Sequence, residues 1–389
     1  MTGIVTDHRM PTPAESAPVR VLVADDQPDV LEALRWLLTG EGYAPQFVSS
    51  TAAVMDRLRA EPFDLLLMDL NYTRDTTSGR EGLELIPRVR THDPGMPIVV
   101  MTGWGSIDTA VEAMRRGARS FVQKPWEDVT LLEILHREVD EARAAKRRDQ
   151  RHQREFEDAR LIQRGLLPSS VPQIAGLDIA AAWQPADGVG GDCFDTLAFG
   201  SSVGVSIADI AGKGLPAALL MSNLQAAVRA FAQEAAAPAS VCGSVNRLLC
   251  RNMASGRFAT FCYARIEAEG RRIVYSNAGH NPPLLIRADG AVERLTEGGM
   301  VLGIFPEIRY EQAELALSAG DRLLFFTDGI TEARNAAGDE YEEDKLAAIA
   351  TRSRALPVEE MKDAILADVN GFTGGQFEDD ATLIVVGIP

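Results

Sequence analysis

The sequence predicts two unlike α/β bodies in series: a doubly wound parallel sheet over residues 19–126 and an α+β sandwich with antiparallel sheets over 168–389, joined by a helix over 127–167. Three observations lead there. The N-terminal part alternates continuous apolar runs with segments of helical spacing, the pattern of a parallel sheet covered on both faces. From Glu127 to Leu167 the only helix breaker is Gly165. After Pro168 short β-like runs follow one another in hairpin-like succession, interrupted by helix pairs.

Taken in order, residues 1–18 are polar and Pro-containing, and are expected to be disordered. "VRVLVADD", "FDLLLMDL", "MPIVVMTG" and "ARSFVQKPW" read as strands, and "DVLEALRWLL" as a helix among them. The segment 127–167, if helical throughout, is about 60 Å long at 1.5 Å per residue. Leu132, Leu135, Val139 and Ala142 keep a 3-4 spacing, which Phe156, Ala159, Ile162 and Leu166 resume, while "RAAKRRDQRHQRE" between them is polar. A solvated helix and a parallel dimeric coiled coil both fit this pattern. Beyond it, "LDIAAAW", "FDTLAFG", "VGVSIADI", "FATFCYARIEA", "RIVYSNAGH", "PPLLIRAD", "DRLLFFTDG" and "ATLIVVGI" read as strands. "LPAALLMSNLQAAVRAFAQEA", "PASVCGSVNRLLCRNM" and "VEEMKDAILADVNGF" read as helices.

Composition limits the function. At 389 residues, 46% hydrophobic and 24% charged, the chain has material for two or three cores. A formal charge of -17 argues against broad nucleic-acid binding, which needs surplus Lys and Arg. With no apolar run long enough for a bilayer and no signal-peptide core at the N-terminus, the expectation is a cytoplasmic protein without a membrane partner. Cys193, Cys242, Cys250 and Cys262 form no CxxC pair and read as small apolar residues.

Acids carry the chemistry. Asp25 and Asp26 close the first apolar run, Asp69 the third, Thr102 the fourth and Lys124 the fifth. In an open parallel sheet these positions share the carboxyl edge, where ligands bind. Three converging carboxylates need a cation, and an all-oxygen set suits Mg²⁺. A carboxylate beside such an ion can act as a nucleophile towards phosphorus. Residues 19–126 resemble a response-regulator receiver domain through this "DD", the Asp of "LLLMDL", the Thr of "VVMTG" and the Phe and Lys of "FVQKPW". The resemblance implies that Asp69 accepts a phosphoryl group from a sensor histidine kinase. It implies Mg²⁺ held by Asp26, Asp69 and the Asn71 carbonyl with Asp25 in support, and Thr102 and Phe121 reorienting as switch residues beside Lys124. One departure stands out: "NYTRDTTSGREGLEL", after Asp69, is longer than usual for the family and lacks its Met-Pro.

The C-terminal part repeats the theme in "GGDCFD", "ADIAGKG", "FTDGITEARN" and "FEDDATLIVV". Carboxylates beside tight glycine turns, without paired His or Cys, again specify hard divalent ions, and their number suits two. Two such ions can ready a water for in-line attack on a phosphate ester, so no protein nucleophile is needed. The one histidine there, His280, is expected to serve packing or a turn rather than acid-base catalysis. Together with "NAGHNPPLL", "ADIAGKGLPAALLM" and the preceding "ARLIQRGLLP", these motifs are similar to the metal-dependent serine/threonine phosphatases of the protein phosphatase 2C (PPM) family, in the bacterial branch that regulates stress and sporulation sigma factors. The resemblance implies two Mn²⁺ or Mg²⁺ ions: Asp209 bridging both, the Ile210 carbonyl on one, Asp328 and Asp379 completing the other, and Asp192 ligating directly or through water. Gly191, Asp195, Gly329 and Asp380 would support these ligands. Cys193 and Phe194 replace two common aromatics, and Lys213 stands where the family often has His. The implied whole is a phosphorylation-controlled phosphatase, acting on an anti-sigma-factor antagonist and homodimeric through linker or receiver. The competing expectation is a catalytically silent adaptor, for which an intact acid set has no use.

Overall fold

The computed structural model describes residues 18–72, 80–103, 107–168, 170–186, 189–253 and 256–389. Residues 1–17 of the expected disordered tail, and 73–79 of the long loop after Asp69, lie outside them. The chain divides into two compact units, Met1–His152 and Gln153–Pro389.

The first unit runs β1 (Arg20–Ala24), α1 (Pro28–Gly40), β2 (Ala44–Val48), α2 (Thr51–Ala60), β3 (Leu65–Asp69), α3 (Arg80–His92), β4 (Ile98–Thr102), α4 (Ile107–Arg115), β5 (Ser120–Gln123) and the start of α5 (Asp128–Leu166). The five strands are parallel in the order β2-β1-β3-β4-β5. Their apolar runs are continuous because both faces are covered. Leu22, Leu66, Met68 and Val100 pack with Val54, Leu58, Ile86 and Val89 of α2 and α3. Val21, Val23, Leu67 and Val99 pack on the opposite face with Leu34 and Leu38 of α1 and with Leu131, Leu135 and Val139 of α5. Each such buried Leu contributes about 1.5–3 kcal/mol of apolar transfer free energy.

This packing alters the reading of the long helix. It is continuous over 39 residues, Gly165 included. Leu135 and Val139, which fit the spacing of a coiled-coil seam, are instead buried in the first unit's core, so the fold of this unit reaches past Trp126. Further along, Phe156 and Ile162 remain exposed, with Leu161 beside them.

The second unit comprises β6 (Asp178–Gln184), β7 (Cys193–Phe199), β8 (Ser202–Ile210), α6 (Leu215–Phe231), α7 (Pro238–Asn252), β9 (Ala259–Glu267), β10 (Arg272–Ala278), β11 (Leu284–Ile286), β12 (Val292–Arg294), β13 (Gly298–Gly299), β14 (Ala313–Ala316), β15 (Arg322–Phe326), α8 (Asp328–Thr331), α9 (Glu343–Ser353), α10 (Val358–Thr373) and β16 (Ala381–Gly387). One sheet has the order β13-β10-β9-β8-β7 with β14 beside β10, and the other β12-β11-β15-β16-β6. The period-two alternation of β16 decides the layering. Ile384 and Val386 join Val205, Ile207, Met221 and Leu249 in one core, whereas Leu383 and Val385 join Leu346, Met361 and Ile365 of α9 and α10 in another. The result is an αββα sandwich. Helix α9 and the strands β12 to β14 stand outside the expected elements; the strands, two to four residues long, are too short for a period to show.

Candidate active sites

In the first unit, β1 and β3 end side by side, placing Asp25, Asp26 and Asp69 at one sheet edge. Ligand oxygens of these three all lie within 4.8 Å of one another, a cluster with no equal for compactness among the described residues. Asp25 is wholly buried; its Oδ1 accepts from the Gln27 amide at 2.9 Å, and its Oδ2 lies 2.6 Å from the Lys124 ammonium. The same ammonium is 2.9 Å from Asp69 Oδ2. Burial raises the Asp69 carboxyl above its ordinary range, and Lys124 opposes that rise. Asn71 and Asp26 line a cavity of ≈180 Å³ with Asp69 and Lys124. Thr102 is buried at the end of β4, its carbonyl accepting from the Lys124 amide at 2.7 Å, whereas Phe121 on β5 is half exposed. All-oxygen donors around a small cavity fit Mg²⁺.

In the second unit the acids come from four places in the chain. Asp209 stands near the end of β8, and Asp328 opens α8 directly after β15. Asp379 and Asp380 precede β16, and Asp192 precedes β7. Burial and then the charges of Asp328, Asp379 and Asp380 push the Asp209 carboxyl up to about 7. Burial also raises Asp328, with Asp379 adding to it, and holds Asp192 well above the usual carboxylate range, with Asp209 adding to that. The acids thus share one electrostatic field, though more widely spread than the receiver cluster. Carboxylates in that condition, joined by the Ile210 carbonyl, make a hard-oxygen set suited to Mg²⁺ or Mn²⁺.

The supporting contacts are specific. Asp192 Oδ2 accepts from the hydroxyls of Thr327 and Thr382, each at 2.6 Å. Asp380 accepts from the Ala186 amide at 3.0 Å and the Asp192 amide at 3.4 Å. Any side chain at Gly190 or Gly329 would collide with Asp380, and one at Gly191 would crowd the Ile210 carbonyl at 2.8 Å and Asp209 at 3.0 Å. The glycines are there to let backbone approach the acids. Asp195 holds a different place: Arg229 of α6 engages its two oxygens at 2.5 and 3.4 Å, so it braces β7 against α6. His280 is buried; it pairs through Nδ1 with Thr260 at 2.8 Å and through Nε2 with the Phe326 carbonyl at 3.1 Å, and burial lowers it to about 4.

Three contributors escaped the sequence reading. Thr327 and Thr382 sit inside the acid motifs "FTDGITEARN" and "FEDDATLIVV" but look like ordinary β-branched residues at strand ends. Gln163, in "ARLIQRGLLP", is 2% exposed on an otherwise wet stretch of α5. Its amide donates to the Gly190 carbonyl at 2.7 Å and accepts from the Gly190 N–H at 3.0 Å, clamping the loop that carries Asp192. A polar residue on an apolar helical spacing was its only signal. A cleft of ≈700 Å³ opens beside this loop, lined by Gly190, Gly191, Lys213, Asp379 and Asp380 and, from α5, by Phe156 and Arg160.

Comparison with known proteins agrees with both halves. Residues 21–136 match the response regulator receiver domain family, and residues 200–389 match the family described as stage II sporulation protein E. The phosphoserine phosphatase RsbU of Bacillus subtilis is 33% identical over 233 residues, 60% of this chain and 69% of RsbU. The response regulator protein FleR of Pseudomonas aeruginosa is 36% identical over 118 residues, 30% of this chain and 24% of FleR. Among solved structures, the RsbU and RsbW domains of a Mycobacterium tuberculosis protein superpose with a TM-score of 0.52 at 28% identity, covering 58% of this chain and 64% of that one. The SiaA-PP2C domain of Pseudomonas aeruginosa shares the fold, with a TM-score of 0.55 at 21% identity over 62% of this chain and 98% of that one. This chain therefore belongs to the RsbU and SpoIIE family of protein phosphatase 2C-type phosphatases, fused behind a response-regulator receiver domain.

Proposed function

We propose that the C-terminal unit hydrolyses phosphoseryl or phosphothreonyl groups on a protein, and that phosphorylation of Asp69 by a sensor histidine kinase controls it. The observation that carries this reading is the shared field of Asp209, Asp328, Asp379 and Asp380, which holds Asp209 near 7 beside an open cleft. Two Mn²⁺ or Mg²⁺ ions would be held by Asp192, Asp209, the Ile210 carbonyl, Asp328 and Asp379. Bound there, they supply Lewis acidity towards water and the phosphate ester. The chain's own part is to fix the ligands. Thr327 and Thr382 orient Asp192, Asp380 accepts from the Ala186 and Asp192 amides, and Gln163 clamps Gly190. In the receiver, Asp25, Asp26, Asp69 and the Asn71 carbonyl would hold one Mg²⁺, while Lys124 holds the incoming phosphoryl oxygens.

The likeness to the phosphoserine phosphatase RsbU supports a phosphoseryl substrate, and the motifs shared with the sigma-factor-regulating branch of the PPM family make a phosphorylated anti-sigma-factor antagonist the reading for it. The exposed Phe156, Leu161 and Ile162 of α5 support a homodimer through the linker. Turnover of a phosphoseryl peptide by the full chain, with and without Mn²⁺ and acetyl phosphate, tests the reading. Mn²⁺-dependent hydrolysis whose rate changes with acetyl phosphate is expected. No hydrolysis would leave an adaptor, and hydrolysis indifferent to acetyl phosphate would remove the control.

A further inference from the structure

Resting on that phosphatase reading, we propose that Arg160, Lys213 and Arg257 form a cationic rim that seats the phosphoryl dianion of the substrate. The acids make the need plain. A phosphate dianion entering the cleft meets Asp379 and Asp380 on its wall with Asp209 behind Gly191, and even two divalent ions leave Asp192, Asp209, Asp328, Asp379 and Asp380 only nearly neutralised. Approach of the substrate anion then calls for cations at the mouth.

Three separate chain segments supply them. Lys213, in the loop between β8 and α6, places its ammonium 3.0 Å from Asp379 Oδ2 and donates to the Glu378 carbonyl at 3.0 Å. Arg257 precedes β9, and the Ala211 amide donates to the neighbouring Phe258 carbonyl at 2.9 Å, which lays 257–258 alongside 211–212. There the Arg257 Nη1 stands 4.0 Å from where a Gly212 side chain would begin. Gly212, with φ +115°, takes a conformation that favours glycine, and it lines the same cleft as Lys213. Arg160 reaches the cleft from α5. Arg160 and Lys213 line the opening and Arg257 stands beside its Gly212 wall; two guanidiniums and an ammonium so placed match phosphate chemistry, since the planar fork can engage two phosphoryl oxygens and the ammonium acts as a point charge. Lys213 already balances Asp379, so the two arginines are the clean reporters of substrate binding.

The experiment uses the full chain with saturating Mn²⁺ and compares Arg160→Ala, Arg257→Ala, the double variant and the two Arg→Lys variants. Each Ala change is expected to raise KM for a phosphoseryl peptide about tenfold, with kcat kept within about threefold, the size of one charge-assisted hydrogen bond. Inorganic phosphate binding, followed by calorimetry, is expected to weaken by the same factor, and Lys to restore part of both. Wild-type KM and phosphate affinity in the double variant would overturn the rim, as would a loss confined to kcat and thermal stability. If the wild type turns over no peptide, the phosphatase reading fails, and phosphate calorimetry still decides the rim.

Discussion

The two acid clusters are built from the same side chain at the ends of strands, yet they are held differently. In the receiver, three carboxylates converge within 4.8 Å around a lysine that touches two of them. In the phosphatase unit the acids are spread along two sheets, and the lysine beside them, Lys213, sits at the outermost, Asp379, at 3.0 Å. Its innermost member, Asp192, is held by hydroxyls instead. A compact cluster with a built-in cation suits a single ion and a nucleophilic carboxylate. A spread cluster whose repulsion is left standing suits strong attraction for more than one ion, since burial and like charge are relieved only when cations enter.

The sharpest way to break this contrast is to remove one acid from each cluster. Asp209→Asn is expected to lower Mn²⁺-dependent turnover more than ~100-fold, beyond the 10–100-fold typical of residues that merely orient ligands. Asp69→Asn is expected to abolish labelling by acetyl phosphate while leaving turnover in the absence of that donor within about threefold. Equal effects of both on unstimulated turnover would refute the division of labour. Next in size is Gln163→Leu, which frees Gly190 and is expected to raise the half-saturating Mn²⁺ concentration by roughly tenfold. A titration of turnover against Mn²⁺ reads it.

The pH dependence sharpens the same point. Asp209 sits near 7 without metal, so below that pH a proton must leave before an ion binds, and above it none need leave. Apparent Mn²⁺ affinity is therefore expected to fall up to about tenfold per pH unit below 7 and to level off above it. Calorimetry at pH 6 and 8 checks this. His280 provides a signal from the scaffold. Its folded value of about 4 lies below the ordinary 6.5, so the unfolded chain takes up a proton that the folded chain refuses between those values. Stability is lost as pH falls through that window, by about 3 kcal/mol in all. His280→Asn is expected to flatten that part of the urea-unfolding profile. Smallest is Arg229→Met, which leaves Asp195 without its partner. Since Arg229 is half exposed, about 1–2 kcal/mol of stability is expected to go, with saturated turnover unchanged.

The sequence carried the fold far because both units are built on strong local signals. Continuous apolar runs marked every receiver strand but β2, whose "APQFV" is half polar at the sheet edge. The acid motifs pointed to Asp25, Asp69, Asp209 and Asp328 because each follows an apolar run and so must emerge at a sheet end. The arginine partner of Asp195 was not legible, since the last acid of "GGDCFD" reads the same whether it faces its neighbours or Arg229 on another helix.

By itself, then, the sequence determined the order of elements, the two architectures and which acids reach an edge, because period and punctuation are local properties. Tertiary structure alone decided that Leu135 and Val139 belong to the receiver core, that Asp195 pairs with Arg229, and that Gln163 grips Gly190. These are contacts between distant residues, and their free energy comes from packing and burial, which no local window of sequence contains.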